Sequence, residues 1–215
     1  MKRKILIVLS LVLTLGVLVR IAYVNITAER PQIVTYQIGD RVAYGDNYYE
    51  RSDEQRNGYF LTVNRVRLVK TTDFAAEQGF SLPEAPEAGS PEAELFYVPE
   101  YVVDMEVTIE NQGNTEGYID LYHTRLISGS LDLWVDETIW DALYPHMLGD
   151  TSFKIRENTE ADMHLPFALN LSYKLNNLAD VSDIAGRTFY LHVTQYPVQQ
   201  LVEIPLESAA MGTGV

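Results

Sequence analysis

Acidic and amide side chains gather around one turn of the sequence, where their oxygens could bind a cation. The candidate ligands are Glu110, Asn114, Glu116 and Asp120, and carboxylate and amide oxygens are the groups that Ca²⁺ prefers. Their spacing does not fit the D-x-[DN]-x-[DN]-G calcium loop. Because clusters of acids also arise by composition in a chain this acidic, a solvated turn is the favoured interpretation, with a calcium site as the alternative.

Histidines offer a second set of metal ligands. His123, His164 and His192 all fall in predicted strands, but none has the His-x-x-x-His or His-x-His spacing that neighbouring metal ligands show. The sequence also has no cysteine, no G-x-S-x-G motif and no S-x-x-K motif, which are common marks of a catalytic nucleophile. No catalytic or cofactor-binding residue is therefore assigned, and the sequence favours a protein that is not an enzyme.

Three aromatic residues lie close together in the sequence and could bind a sugar or a peptide. They are Trp134, Trp140 and Tyr144. Ile139, Trp140 and Leu143 share one face of a predicted helix, which favours burial of Trp140 against the core. This leaves Trp134 and Tyr144 as the candidate ligand-binding residues.

The chain is strongly acidic outside its first residues. Its 215 residues include 30 acidic and 16 basic ones. Four of the basic residues, Lys2, Arg3, Lys4 and Arg20, lie within the first 24 residues and no acidic one does, so the remainder has a formal net charge of −18. A field of this sign repels nucleic acid, which is excluded as a partner, whereas cations and basic partners are compatible with it.

Residues 1–28 have the pattern of a membrane anchor. Lys2-Arg3-Lys4 precedes an apolar run from Ile5 to Val24, which as a helix measures about 30 Å, enough to cross the hydrocarbon core. The basic residues before the run place the amino terminus in the cytoplasm and the domain outside. A cleaved signal peptide would instead release a secreted domain, but the small-x-small cleavage site is missing, so an uncleaved anchor is favoured.

Composition divides the rest of the chain into three parts. Residues 29–57 are predicted to be a stalk or lead-in segment, residues 58–207 a β-sandwich domain, and residues 208–215 a flexible tail. Inside the domain, residues 81–94 hold three prolines together with Ala, Glu, Gly and Ser. That composition predicts a loop within one domain, not a boundary between two.

Alternating apolar residues mark the strands. In the clearest run, Tyr101 to Glu110, one face is apolar and the other, with Asp104 and Glu106, is predicted to meet water. The alternation in Tyr59 to Val69 changes phase near Asn64-Arg65, as it does at a β-bulge. Further strands are predicted at Tyr118–Leu126, Ala161–Leu169, Phe189–Val193 and Val202–Leu206, and short helices at 71–78 and 136–144.

The number and spacing of these elements indicate the fold class. Seven or eight strands with short connections predict an all-β protein, an immunoglobulin-like antiparallel β-sandwich. One or two short helices join its strands, and a transmembrane helix precedes it. Pro166 on the strand at 161–169 places that strand at an edge or a bulge, because proline cannot donate to the ladder.

Three runs of the sequence carry a resemblance to other proteins: VDMEVTIENQGNTEGYIDLYHTRL, RENTEADMHLPFAL and RTFYLHVTQYP. In these runs the chain resembles a family of uncharacterised extracytoplasmic proteins of Gram-positive bacteria that begin with a membrane anchor. The wider likeness is to bacterial immunoglobulin-like, telokin-like domains, and it covers most of residues 58 to 206. The resemblance implies an extracytoplasmic location and a sandwich fold. The resemblance includes no catalytic motif and implies no enzymatic activity.

The sequence therefore favours a membrane-tethered, extracytoplasmic binding or interaction module, which recognises a protein, a peptide or a cell-envelope component. Two alternatives stay open. One is a metal-dependent or carboxylate-based hydrolase of the cell envelope, and the other is a structural subunit or spacer of an envelope complex.

Overall fold

The structure is a computed structural model, and it describes residues 2–28, 32–51, 53–87, 89–90, 97–147, 149–169, 181–184 and 186–206. The predicted tail at 208–215 lies outside the described residues. The chain divides into two compact units, Met1–Pro31 and Gln32–Val215.

The first unit is one apolar helix, α1 (Lys2–Thr27). Its segment Lys4–Thr27 is long and apolar enough to cross a membrane, a property that signal sequences share. Polar side chains in it bond back to the helix: Thr14 Oγ1 donates to the carbonyl of Ser10 at 2.9 Å, and Asn25 Nδ2 donates to the carbonyl of Ile21 at 3.0 Å. Such internal bonds lower the cost of placing polar side chains in an apolar environment.

The second unit is built from strands. The described residues form eleven: β1 (Gln32–Gln37), β2 (Arg41–Ala43), β3 (Tyr59–Lys70), β4 (Tyr101–Asn111), β5 (Ile119–Asp120), β6 (Arg125–Ser128), β7 (Leu131–Trp134), β8 (Ser152–Phe153), β9 (Thr159–Leu169), β10 (Thr188–Thr194) and β11 (Val198–Pro205). One sheet has the order β1-β11-β10-β6-β7 and the other the order β2-β3-β4-β9, while β5 pairs with β8. The predicted all-β sandwich with short helices and a preceding apolar helix is confirmed.

The core lies between the inner faces of the two larger sheets. Alternate residues of β4, among them Val103, Met105 and Val107, are fully buried there. Opposite them, β6 and β10 contribute Leu126 and Leu191, which are also fully buried. Burial of this apolar surface is the main favourable term in folding such a domain.

Two local predictions about the four-stranded sheet are confirmed. The pairing of β3 with β4 shifts register between Val63 and Arg65, which is the bulge predicted near Asn64-Arg65. Strand β9 lies at the edge of its sheet, as Pro166 requires. The carbonyl of Pro166 accepts the backbone N–H of Asp136 at 2.8 Å, so the chain after β7 covers part of this edge.

The predicted stalk at 29–57 is wrong for its described residues, because β1 and β2 belong to the sandwich. Strand β1 pairs with β11 in parallel, an exception to the antiparallel pattern, and β2 pairs with β3. Both strands are short edge strands, and four of the six residues of β1 are exposed. Their apolar alternation is therefore weak, and the partner of β1 lies at the far end of the chain.

The predicted strand Tyr118–Leu126 is also wrong, since it is divided between β5 and β6. The Asp120 carboxylate accepts the backbone N–H of Tyr122 at 2.9 Å, and the carbonyl of Leu121 accepts the N–H of Thr124 at 3.0 Å. These bonds make a turn between the two strands. His123 consequently lies in that turn and not on a strand.

Two short α-helices cover the outer face of the four-stranded sheet. They are α2 (Thr71–Gln78) and α3 (Glu137–Leu143), both of which were predicted. Asp136 caps α3 by accepting the N–H of Ile139 at 2.9 Å. Phe74 of α2 and Ile139 of α3 form a small buried cluster with Val102 of β4. In the predicted loop at 81–94, which lies between these two helices in the sequence, the described residues form no helix or strand.

Candidate binding surface

Aromatic and charged side chains gather at one end of the five-stranded sheet. We call them the Trp134 surface, which consists of Tyr49, Glu50, Tyr122, His123, Arg125, Asp132 and Trp134. The first two residues precede β3, the next two lie in the turn between β5 and β6, and the last three lie on β6 and β7. Loops and strands from three parts of the chain thus meet at one place.

The aromatic rings of this surface form a continuous row. Tyr122 lies in the middle, with ring centroids 4.9 Å from His123 and 6.2 Å from Trp134. Tyr49 stacks on the other side of His123 at 6.3 Å, with an angle of 9° between the planes. Tyr122 is 47% exposed and Trp134 is 38% exposed, so the row presents apolar ring surface to solvent at two points. Aromatic side chains placed in this way are the usual energetic centres of binding sites.

Charged groups hold these rings in place. The guanidinium of Arg125 lies 3.7 Å from the ring centroid of Trp134, and its Nη1 donates to the carboxylate of Asp132 at 2.8 Å. On the other side, a carboxylate oxygen of Glu50 lies 2.8 Å from Nε2 of His123. Two rings of the row, Trp134 and His123, therefore each have a charged neighbour with a defined geometry.

Strand register explains why Arg125 and Trp134 face outward together. Arg125 of β6 is paired with Trp134 of β7 and with His192 of β10. The next residues along these strands, Leu126 and Leu133, are buried in the core. Because side chains alternate between the two faces of a sheet, the residues beside them must point to the solvent side. Burial lowers the pKa of His192 and raises that of Tyr49.

A buried ion pair connects the two loops of the surface. Glu54 accepts the backbone N–H groups of Tyr49 at 2.9 Å and Glu50 at 3.2 Å. It also pairs with Arg56 at 3.1 Å, and Arg56 Nη2 donates to the carbonyl of Asp120 at 3.3 Å. The segment with Tyr49 and the turn with Tyr122 are therefore fixed to the same two side chains.

The predicted ligand-binding residues Trp134 and Tyr144 have different surroundings. Trp134 belongs to the exposed aromatic row, whereas Tyr144 packs on Trp140 with ring centroids 4.6 Å apart. The Tyr144 hydroxyl accepts the N–H of His164 at 2.7 Å and donates to its carbonyl at 3.3 Å. Burial raises the pKa of Tyr144. These contacts give Tyr144 a structural role beside β9, while Trp140 is fully buried, as its helical spacing predicted.

Three of the four predicted calcium ligands, Glu110, Asn114 and Asp120, already accept hydrogen bonds through their side-chain oxygens. Arg41 donates two hydrogen bonds to Glu110, at 2.9 and 2.8 Å, and the resulting ion pair lowers the pKa of that carboxyl. The amide oxygen of Asn114 accepts the backbone N–H groups of Glu116 at 3.1 Å and of Gly117 at 2.6 Å. The Asp120 carboxylate accepts the N–H of Tyr122 and so caps the turn. These bonds favour the solvated-turn interpretation of the cluster.

Within the described residues, one group of side chains lies close enough together to share a metal ion. It consists of Asp104, Glu106 and His164. Asp104 is fully buried, and its two oxygens bond to His164 Nδ1 at 2.8 Å and Arg67 Nε at 2.9 Å. Glu106 forms an ion pair with Arg65. Because each carboxylate already has an arginine partner, this group is an ion-pair network and not an open set of metal ligands.

The burial of Asp104 corrects the prediction that this face of β4 meets water. Helix α2 covers this end of the sheet, and its Phe74 ring lies 5.8 Å from the ring of His164. The hydrogen bond that His164 donates to Asp104 raises the pKa of His164. The alternation of β4 identified the correct side for Asp104, but nothing in that pattern showed that a helix would cover it.

The fold and the surface define a class of protein: an all-β sandwich preceded by an apolar helix, with an exposed aromatic row at one end of a sheet. Residues 33–200 match the family described as Domain of unknown function (DUF5028), and the chain belongs to that family. This agrees with the resemblance to an uncharacterised family. No curated protein and no solved structure matches the chain.

Proposed function

We propose that this chain is a membrane-tethered, extracytoplasmic binding module of a Gram-positive cell envelope, and that the Trp134 surface is where its partner binds. Its sandwich would be of the immunoglobulin-like, telokin-like kind that the sequence resembles. The observation that carries the proposal is the aromatic row, in which Tyr122 is 47% and Trp134 is 38% exposed. Rings held by strands and ion pairs lose little freedom on binding, which favours affinity.

Three features of the surface support a binding role. It combines two loop segments with a sheet face, the arrangement in which loops carry function on a rigid scaffold. Its loops are fixed by the buried pair Glu54 and Arg56. Exposed aromatic rings with charged neighbours also match the composition of protein interfaces, which are enriched in Tyr, Trp and Arg.

Site-specific photo-crosslinking in producing cells tests the binding surface. A benzophenone side chain replaces Tyr122 in the full-length chain, and a matched chain carries it at Tyr97, which is 43% exposed and outside the Trp134 surface. We expect a discrete adduct from position 122, none from position 97, and loss of the adduct when Trp134→Ala is added. A pure spacer gives no adduct at position 122, and that result would reject the proposed surface.

The membrane topology has a separate test. Because the chain contains no cysteine, a single introduced cysteine can be labelled without background. Asp141→Cys, an exposed position on α3, should react with a membrane-impermeant maleimide in intact cells. Lys4→Cys should react only after lysis, since the basic cluster at the start of α1 keeps the amino terminus inside. Labelling of Lys4→Cys in intact cells, or recovery of the domain from the medium, would contradict the tethered topology.

A further inference from the structure

The rings of the Trp134 surface are set at steep angles around Tyr122. The plane of His123 is at 89° to that of Tyr122, and the plane of Trp134 is at 65° to it. Each aromatic ring carries partial negative charge on its faces. Rings packed edge to face in this way present their faces in different directions, and a face that reaches solvent can contact a cationic group.

Trp134 already binds a cation of this chain. Arg125 lies over its ring at 3.7 Å from the centroid and pairs with Asp132 at 2.8 Å. This contact shows that a ring and a carboxylate at this place hold a guanidinium together. Because Asp132 balances the charge of Arg125, that arginine adds little net positive charge to the surface.

A second carboxylate of the surface, that of Glu50, is open to solvent. The Glu50 side chain, which contacts His123, is 52% exposed. His192, the strand neighbour of Arg125, has its pKa lowered chiefly by burial, which keeps it neutral near pH 7. Beyond the first 24 residues the chain has a formal net charge of −18. A field of this sign attracts basic partners and speeds their encounter with the surface.

We infer that the partner of the Trp134 surface is a basic peptide segment of another protein, whose Lys or Arg side chains contact the rings of Tyr122 and Trp134 and the carboxylate of Glu50. This inference rests on the proposed function and adds the chemical class of the partner. A glycan, which would stack on the same rings without needing a positive charge, is the contrasting ligand.

Tryptophan fluorescence of the full-length chain in phosphatidylcholine nanodiscs provides the test. The chain has two tryptophans. Trp140 is fully buried and Trp134 is 38% exposed, so acrylamide quenching of the accessible fraction reports on Trp134. The probes are a peptide of alternating Lys and Gly and a matched peptide of alternating Glu and Gly. We expect protection of Trp134 by the lysine peptide only, and weaker binding as the salt concentration rises.

Two variants separate binding at the rings from general attraction to an acidic protein. Tyr122→Ala and Tyr97→Ala each remove one exposed tyrosine and leave the net charge unchanged. We expect Tyr122→Ala to weaken binding of the lysine peptide by about 10-fold and Tyr97→Ala to leave it as in the parent chain. Equal binding of the two peptides, or equal affinity of the two variants, would overturn the inference.

The crosslinked partner distinguishes failure of this inference from failure of the proposed function. If position 122 gives an adduct whose peptide carries Lys or Arg beside the crosslink, the inference is supported. A glycan adduct, or a peptide without basic residues, would overturn the cationic partner and leave the binding module intact. Absence of any adduct would reject the proposed function itself.

Discussion

Glu54 and Arg56 form an ion pair with 3.1 Å between Oε2 and Nη2, and both side chains are almost fully buried. Two backbone N–H groups also bond to Glu54, and Arg56 reaches the carbonyl of Asp120. The pair therefore joins the segment before β3 to the turn before β6. A buried charge that loses its partner keeps its desolvation cost, so each member depends strongly on the other.

Glu54→Gln should lower the free energy of unfolding by about 3 kcal/mol, because it leaves Arg56 buried without a counter-charge. Denaturant unfolding of the full-length chain in detergent, followed by circular dichroism, measures the loss. Glu110→Gln is the matched control. Its partner Arg41 is 39% exposed, and a pair this open contributes less than about 1 kcal/mol. Equal losses in the two variants would show that burial does not set the strength of these pairs.

Gly117→Ala should destabilise the same region by a different mechanism. A Cβ at position 117 would lie 1.8 Å from the carbonyl oxygen of Gln55, so the backbone between Glu54 and Arg56 would have to move. We expect a loss of about 3 kcal/mol, at the upper end of overpacking costs.

The control for Gly117→Ala is Gly113→Ala, where a Cβ meets nothing within 4 Å and the only cost comes from the positive φ of +85°. That change should cost about 1 kcal/mol. Thermal unfolding of both variants, compared with the parent chain, decides between steric clash and backbone strain. A smaller effect at position 117 than at position 113 would contradict the close approach to Gln55.

Local patterns predicted the parts of the fold that depend on neighbouring residues. The bulge near Asn64-Arg65 follows from a change of phase within one strand, and the cap of α3 follows from Asp136 and the helical face after it. The sequence indicates an extended stretch at Ile33–Tyr36, but its place in the sandwich could not be found in this way, since the register of β1 is set by pairing with β11 near the end of the chain. A short and exposed edge strand leaves almost no alternation to detect.

The candidate surface was predictable only in part. Trp134 is one of the two ligand-binding residues predicted from the sequence, and it lies in the exposed row. Its neighbour Tyr49 fell in the predicted stalk, and the turn that carries Tyr122 and His123 was assigned to a strand. Contacts between segments so far apart in sequence arise from the sheet pairing, which no local spacing encodes.

The two tryptophans should respond very differently to truncation. Trp140→Ala removes a fully buried side chain and should cost about 3 to 5 kcal/mol, since a large cavity replaces it. Trp134→Ala removes a partly exposed ring on an edge strand and should cost about 1 kcal/mol. Denaturant unfolding of the two variants measures the difference. A large loss for Trp134→Ala would mean that this residue supports the fold and would weaken its assignment to a binding surface.

The raised pKa of His164 makes part of the stability depend on pH. The hydrogen bond from His164 to Asp104 is the largest cause of the raised pKa, and the charge of Glu106 raises the pKa further. Burial and the charge of Arg67 lower the pKa of His164. Because the folded pKa lies above the ordinary value of 6.5, charged His164 stabilises the fold fully below pH 6.5. That contribution is lost as the pH rises through the folded pKa.

His164→Gln should therefore cost more stability at about pH 5.5 than at about pH 8.5. His192→Gln should show the opposite trend, because burial lowers the pKa of His192 and its neutral form is the one that the fold favours. Gly113→Ala, which changes no titratable group, is the control and should have the same effect on stability at every pH in this range. Denaturant unfolding at several pH values measures all three. A pH-independent cost for His164→Gln would mean that the bond to Asp104 does not favour the charged imidazole.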